Sequence, residues 1–187
     1  MRSLTVLQPF AHLIVWPDSA VDPRIRAGYG PGGKRIENRG QESSVRGPVL
    51  IHAGSGDAGL KWTRADRPNA FLTKRQLEAM THTKVAFGAI VGIADIIDDI
   101  EIHPPGFKFI DGERNPAVTL ANGAVVAWYY ANKYPWLVAH HHAFGPWGRV
   151  LANVKRIVEP IPYKGAQGFF NVPDDLLVSA QWVPAEL

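Results

Sequence analysis

The sequence predicts a mixed α+β fold: a small β-barrel with flanking short helices and an insertion. Three observations carry this expectation. Short apolar segments rich in Val and Ile recur between turn residues, glycines interrupt them where a barrel strand must bend, and only two or three stretches carry a helix signal. With 187 residues and 46% hydrophobic side chains, the chain is long enough to bury a substantial core. We read it as one domain over 1–187, with a helical excursion at 54–84 and an aromatic-rich insertion at 101–146.

Leu4 to Leu7 reads as a short strand. Gln8 to Trp16 reads as a short helix with Pro9 in its first turn, where a missing N–H costs nothing. Trp16-Pro17 ends it, and the Pro- and Gly-rich run from Asp18 to Gly33 is a long loop. Pro48 to Ala53 reads as a buried strand, and Gly54 to Gly59 breaks regular structure. Within the excursion, Thr73 and Gln76 have capping-box spacing ahead of Leu77 and Met80, which predicts a helix there. Ala86 to Ile97 is the expected central strand, followed by an acidic loop through Asp98, Asp99 and Glu101. Arg149 to Ile157 is a further strand, Pro160 to Tyr163 is extended, and Lys164 to Gly168 is a turn before a strand at Phe169 to Val172. Pro173 to Val178 suits a last short helix with acidic residues in its first turn.

Composition excludes several chemistries. The chain has no cysteine, so disulfides, thiolate metal sites and a cysteine nucleophile are ruled out. The first residues lack a signal-peptide core and no apolar run reaches membrane-span length, which predicts a cytoplasmic protein without a membrane partner. The net charge of +3 is small, but from Arg24 to Lys74 ten Lys and Arg face four Asp and Glu. One basic side is the electrostatic footprint that phosphate binding requires.

The most distinctive stretch is Gly33-Lys34-Arg35-Ile36-Glu37-Asn38-Arg39, followed by Arg46-Gly47 and an apolar strand. In an extended segment Lys34, Ile36 and Asn38 face one way while Arg35, Glu37 and Arg39 face the other. Such a cluster suits a polar pocket in which a carboxylate and guanidinium groups hold one another in place; a charged, solvated edge strand is the other reading.

This motif, with Leu4-Thr5-Val6-Leu7-Gln8-Pro9-Phe10-Ala11, Gly88 to Asp95 and Lys164-Gly165-Ala166-Gln167-Gly168-Phe169, resembles the ASCH domain, the activating signal cointegrator homology family. The resemblance, through a G-x-K-x-x-E-x-R core in order with its flanking blocks, covers both ends of the chain and leaves mainly the aromatic insertion unexplained. It implies a PUA-like barrel, a cleft beside the first helix, and association with RNA or other nucleic acids. Some members resemble ribonucleases, and one bacterial branch hydrolyses an acetyl amide on modified cytidine. Carried over, it places Lys34, Glu37 and Arg39 in the cleft and Lys164 with Gln167 near its rim.

The roles those residues can take follow from their chemistry. Lys34 and Arg39 neutralise phosphate, with Arg35 and Arg46 adding to the basic surface; Gln8, Asn38 and Gln167 offer donors and acceptors to a base edge. Glu37 orients Arg39, accepts from a base amino group, or forms a purely structural ion pair with Arg39. The expectation is an RNA- or nucleotide-binding domain for single-stranded RNA or a nucleotide-like ligand, with DNA sharing the same phosphate chemistry. The alternative is an enzyme with Lys34 and Glu37 as catalytic residues: a metal-independent ribonuclease, with His52 as a further proton carrier, or a nucleoside amide hydrolase. Glu37 stands where the cytidine-acting branch has a hydroxyl, so that mechanism does not transfer intact.

Other groups are read as structural. His140 and His142 share a face of an extended segment, yet no nearby carboxylate completes a zinc set, and Asp95, Asp98, Asp99 and Glu101 are read as facing solvent. No metal or cofactor is assigned. Most of Trp128, Tyr129, Tyr130, Tyr134 and Trp136 are expected to complete the core under the insertion, with stacking on unpaired bases as the functional alternative.

Overall fold

β-Branched runs and interrupting glycines produce a curled sheet. The computed structural model describes residues 1–15, 34–56, 85–109, 116–140 and 143–185. Among them, strands β1 (Arg2–Val6), β2 (Ile36–Arg39), β3 (Gly47–Ala53), β4 (Ala89–Glu101), β7 (Trp147–Pro162), β8 (Phe169–Asn171) and β9 (Trp182–Pro184) form one sheet. Its order is β2-β7-β4-β3-β1-β8, with β9 on β7. β1 runs parallel to β3, and the other pairings are antiparallel. The fold is mixed α+β, mostly strands in a curled half-barrel with two short helices, as expected at that level.

The curl has local causes. The pairing of β4 with β7 shifts register three times, and each shift bends the strands and increases their twist. Asn153 lies in one such irregularity with φ 49°, a left-handed conformation that Asn adopts more readily than most residues, and its Nδ2 donates to Asp95 Oδ2 at 2.7 Å. As a result β2, at one edge of the sheet, comes within reach of β1 near the other: Arg39 Nη2 donates to the Thr5 carbonyl.

Alternation along β1 and β3 assigns the two faces. Leu4, Val6, Val49, Ile51 and Ala53 join Ala11, Ile14 and Val15 of helix α1 (Phe10–Val15) in the main core. Leu50 faces the opposite way, into a smaller cluster with Ile90 and Val172 against which Tyr163, Phe170 and Trp182 pack. The 101–146 region builds a hairpin of β5 (Ala117–Thr119) and β6 (Val125–Ala127), helix α2 (Trp128–Lys133) and a 3-10 turn at Pro135–Ala139. Leu120, Val126 and Leu137 from this region share a third core with Ile36, Ile100 and Val150 of the large sheet. Tyr134 is buried there with Tyr130 and Trp136 packed beside it, whereas Trp128 and Tyr129 are about half exposed, at 49% and 53%.

Several expectations need correction. The acidic stretch is not a loop: β4 continues to Glu101 because Ile100 enters the third core, which carries Asp99 into the interior. Asp98, on the other side of the strand, accepts from Lys133 Nζ at 2.8 Å and Tyr134 Oη at 2.9 Å and so ties the insertion to the sheet. The two segments from Arg149 to Tyr163 merge into the single long β7. The last helix is a 3-10 turn at Asp174–Leu177, and β9 was not foreseen. The expected loop at Asp18–Gly33 and the helix after Thr73 lie outside the described residues. Among the described residues no helix is long and apolar enough to cross a membrane.

Candidate functional site

The charged motif turns inward. Lys34 precedes β2 rather than belonging to it, so strict alternation does not apply, and its side chain folds back beneath the strand. Its Nζ lies 2.6 Å from Glu37 Oε2, donates to the Ile36 carbonyl and sits 5.5 Å from the centre of the Phe10 ring. Lys34 is only 1% exposed; burial lowers its pKa, against the opposing pull of the Glu37 charge and hydrogen bond. Glu37 Oε1 is 3.0 Å from Arg39 Nη2. Both oxygens of Glu37 are therefore engaged, one by Lys34 and one by Arg39. This corrects the expectation that Lys34 neutralises phosphate: its ammonium is buried and committed, and it holds Glu37, which in turn holds Arg39.

Arg39 is where the motif meets an open cleft of about 960 Å³. Thr5 and Leu7 from β1 and its end, His52 from the end of β3, and the turn at 162–168 supply most of the remaining wall. Lys164 and Gln167 stand exposed on that turn. Five glycines, Gly54, Gly56, Gly88, Gly165 and Gly168, line the same cleft and leave its backbone open to close approach by a ligand. The cleft thus presents cationic and amide side chains against exposed backbone, a combination suited to phosphate and to a base edge.

His52 forms the floor beneath the turn. Its Nε2 faces the Tyr163 carbonyl at 3.0 Å and its Nδ1 the Thr5 hydroxyl at 3.3 Å, while the ring meets Phe170 edge-on at 5.4 Å. A carbonyl only accepts, so Nε2 carries a proton and donates to Tyr163. Burial lowers the His52 pKa, with the Tyr163 hydrogen bond opposing it. The Thr5 hydroxyl donates to the Ala166 carbonyl at 2.5 Å, so the turn is pinned to β1 and β3 from below.

The other expected site residues are distributed elsewhere. Gln8 is buried and structural: Nε2 donates to the Ala86 carbonyl at 2.6 Å and Oε1 accepts from the His12 amide at 3.1 Å, capping α1. Asn38 Oδ1 accepts from the Phe144 amide at 2.8 Å and anchors the end of the insertion. Arg35 faces away from the cleft, 5.6 Å over the Trp136 ring. Arg46 donates to the Ser43 and Val45 carbonyls on a separate surface and lies 3.7 Å from Asp98. Of the expected set, the cleft brings together Arg39, Lys164 and Gln167, with Glu37 immediately behind Arg39.

His140 is buried at the edge of Trp136, while His141 and His142 lie outside the described residues. Among the described residues no group of three or more metal-ligating side chains converges. Three contributors escaped the sequence reading. Thr5 and Tyr163 enter through register and turn geometry, and Arg149 enters because it lies cross-strand from both Glu37 and Asp99. Only the alternation of β1 hinted at any of them, by placing Thr5 opposite the core face. Compared with known proteins, the chain matches no family model and no curated sequence.

Proposed function

We propose that this chain is an RNA- or nucleotide-binding module, an ASCH-type domain with a PUA-like barrel, that takes single-stranded RNA or a nucleotide-like ligand into the cleft between Arg39 and the 162–168 turn. The observation that carries this reading is the convergence of Arg39, Lys164 and Gln167 on one glycine-lined cleft from distant parts of the chain. Arg39 supplies a planar donor set for phosphate, Lys164 a mobile cation at the rim, and Gln167 a donor and an acceptor for a base. The Lys34–Glu37 pair supports the reading indirectly by fixing the Arg39 side chain. DNA offers the same phosphates and differs at the 2′-hydroxyl.

The second reading, a metal-independent ribonuclease, draws on the His52 imidazole in the cleft wall, whose Nε2 is held by the Tyr163 carbonyl; the Thr5 proton goes to the Ala166 carbonyl, so Thr5 is not the group that His52 would activate. Lys34 and Glu37 serve it poorly, since both are engaged with each other.

The test is fluorescence anisotropy of labelled single-stranded RNA at several salt concentrations, with the product run on a gel. Wild type is expected to bind with an affinity that falls as salt rises, and Lys164→Ala to weaken binding and reduce the log–log salt slope by about 0.7, the contribution of one phosphate contact on a single strand. Intact RNA identifies a binding module; cleavage lost in His52→Ala identifies the nuclease. Absence of binding overturns the proposal.

A further inference from the structure

Among the described residues, Arg149 is the one side chain with two buried nitrogens that lack a hydrogen-bond partner. It is 6% exposed; among the described residues its Nε and Nη1 have no hydrogen-bond partner, and its Nη2 makes a long contact, 3.4 Å, to the Gln41 carbonyl. Buried guanidinium groups ordinarily find acceptors for all their N–H donors, because an unmet charged donor is costly. The Arg39 Nε is a further buried nitrogen without a partner.

These donors belong to one neighbourhood. Arg149 on β7 lies cross-strand from Glu37 on β2 and from Asp99 on β4, and Arg39 is two residues beyond Glu37 on the same face of β2. The carboxylates available do not satisfy them. Glu37 is taken by Lys34 and Arg39, and Asp99 Oδ2 by the Ser43 amide at 2.6 Å. Asp99 Oδ1 is left over, so a bridging water could join it to one Arg149 donor, but charge would still not balance. With Arg46 and Glu42, which act on the same cluster, four cations (Lys34, Arg39, Arg46 and Arg149) face three carboxylates (Glu37, Glu42 and Asp99), leaving one positive charge in excess.

The location explains how a ligand could reach them. The Arg149 guanidinium rests 5.4 Å from the centre of the Phe169 ring, and Phe169 follows Gly168, a wall residue of the cleft that Arg39 lines. Here the curled sheet is joined by side chains: Arg39 on the Thr5 carbonyl and Arg149 on Phe169, with β2, among the described residues, laddered only to β7. A seam without a backbone ladder parts with the smallest loss of hydrogen bonds.

We infer that Arg39 and Arg149 form an anion subsite at this seam, behind the cleft wall, that accepts the terminal phosphate of a nucleotide or an RNA end. The inference rests on the cleft reading above and gives it a ligand class. A terminal group fits because the donors are enclosed, whereas a phosphodiester would have to continue out on a second side. Planar guanidinium groups with adjacent N–H donors match the oxygens of a tetrahedral phosphate, and Arg149 loses no existing strong bond in turning to it.

Two measurements on the full chain test this. The first follows the melting temperature against inorganic phosphate at ionic strength matched with chloride; the second compares the affinities of adenosine monophosphate and adenosine by calorimetry. Phosphate is expected to raise the melting temperature, and the monophosphate to bind at least about tenfold more tightly than the nucleoside. Arg149→Met should abolish both effects, read against its own melting temperature in chloride, because the substitution also takes from buried Asp99 its main opposite charge. If that variant does not fold, the wild-type comparison decides alone. A melting temperature indifferent to phosphate, equal affinity for monophosphate and nucleoside, or a preference that survives in Arg149→Met overturns the subsite. Salt-sensitive RNA binding without that preference leaves the cleft reading standing and removes only the subsite. A phosphate response in a protein that binds no RNA does the reverse.

Discussion

Gly165 lies flat against the His52 ring: a Cβ on this glycine would fall 2.8 Å or less from Cε1, Nδ1 and Nε2 of the imidazole. No left-handed backbone is involved, so the requirement for glycine is one of space. The ring cannot yield easily, since Thr5, Tyr163 and Phe170 hold it from three sides. Gly165→Ala should therefore displace the 162–168 turn and cost about 1–3 kcal/mol, the usual range for overpacking a filled site. In urea unfolding, His52→Ala introduced alongside it should recover part of that loss, because the clash has lost its partner. Additive effects of the two substitutions would show that the turn does not rest on the ring.

Lys34 and Glu37 make a buried pair whose two halves are not equivalent when removed. Glu37→Ala strands the Lys34 ammonium in the core beside Phe10, and the expected loss is about 3–5 kcal/mol. Lys34→Met removes the interior charge while filling similar space, and Glu37 keeps Arg39 as its partner, so a smaller loss is expected. Chemical denaturation of both variants checks the ordering. Equal losses, or a loss under about 1 kcal/mol for Glu37→Ala, would mean that water reaches Lys34.

His12 gives stability a pH dependence of definite sign. Burial lowers its pKa from 6.5 to about 4 in the folded chain. Between those values the unfolded chain binds the proton and the folded one does not, so stability is full above about pH 6.5 and declines as pH falls towards 4. The full effect is on the order of 3 kcal/mol, and His52, lowered in the same direction by burial, adds to it. His12→Leu should lose less stability than wild type between about pH 7 and pH 4.5. Parallel pH profiles for the two proteins would place the acid sensitivity elsewhere.

What the residues revealed depends on how local the determinant is. β1, β3 and β8 were legible because β-branched and aromatic runs end at glycines or prolines. β5, β6 and β9 have three residues each, as β8 does, but lack its aromatic pair, and exist because neighbouring strands and the insertion core accept them. In the site, Arg39 and, far from it in the sequence, Lys164 and Gln167 line one cleft. Lys34 pairs with Glu37 instead of facing away from it because β2 begins at Ile36, so the alternation of an extended segment does not extend to Lys34. Arg149 was invisible as a neighbour of Glu37, since only the register of β2 on β7 brings together residues so far apart in the chain.

Gly92, in the middle of the central strand, explains how α1 comes to lie where it does. A Cβ there would stand 2.5 Å from Val15 Cγ1 and 2.6 Å from the Lys155 carbonyl oxygen, so the glycine is the notch into which the helix end is seated. One of those two obstacles is backbone on β7, which cannot rotate away. Gly92→Ala should consequently lose about 3 kcal/mol, at the upper end of overpacking costs. Val15→Ala in the same chain removes the side-chain obstacle but not the carbonyl, and should restore only part of the loss, with a coupling of at least about 0.5 kcal/mol. The consequence reaches the cleft, because the Leu7 carbonyl and the Gln8 side chain at the start of α1 take its first amides and Leu7 lines the cleft wall. On the proposed RNA-binding reading, a helix pushed off Gly92 should therefore weaken RNA binding along with stability. Full RNA affinity in a folded Gly92→Ala protein would show that the cleft wall is set by β1 alone.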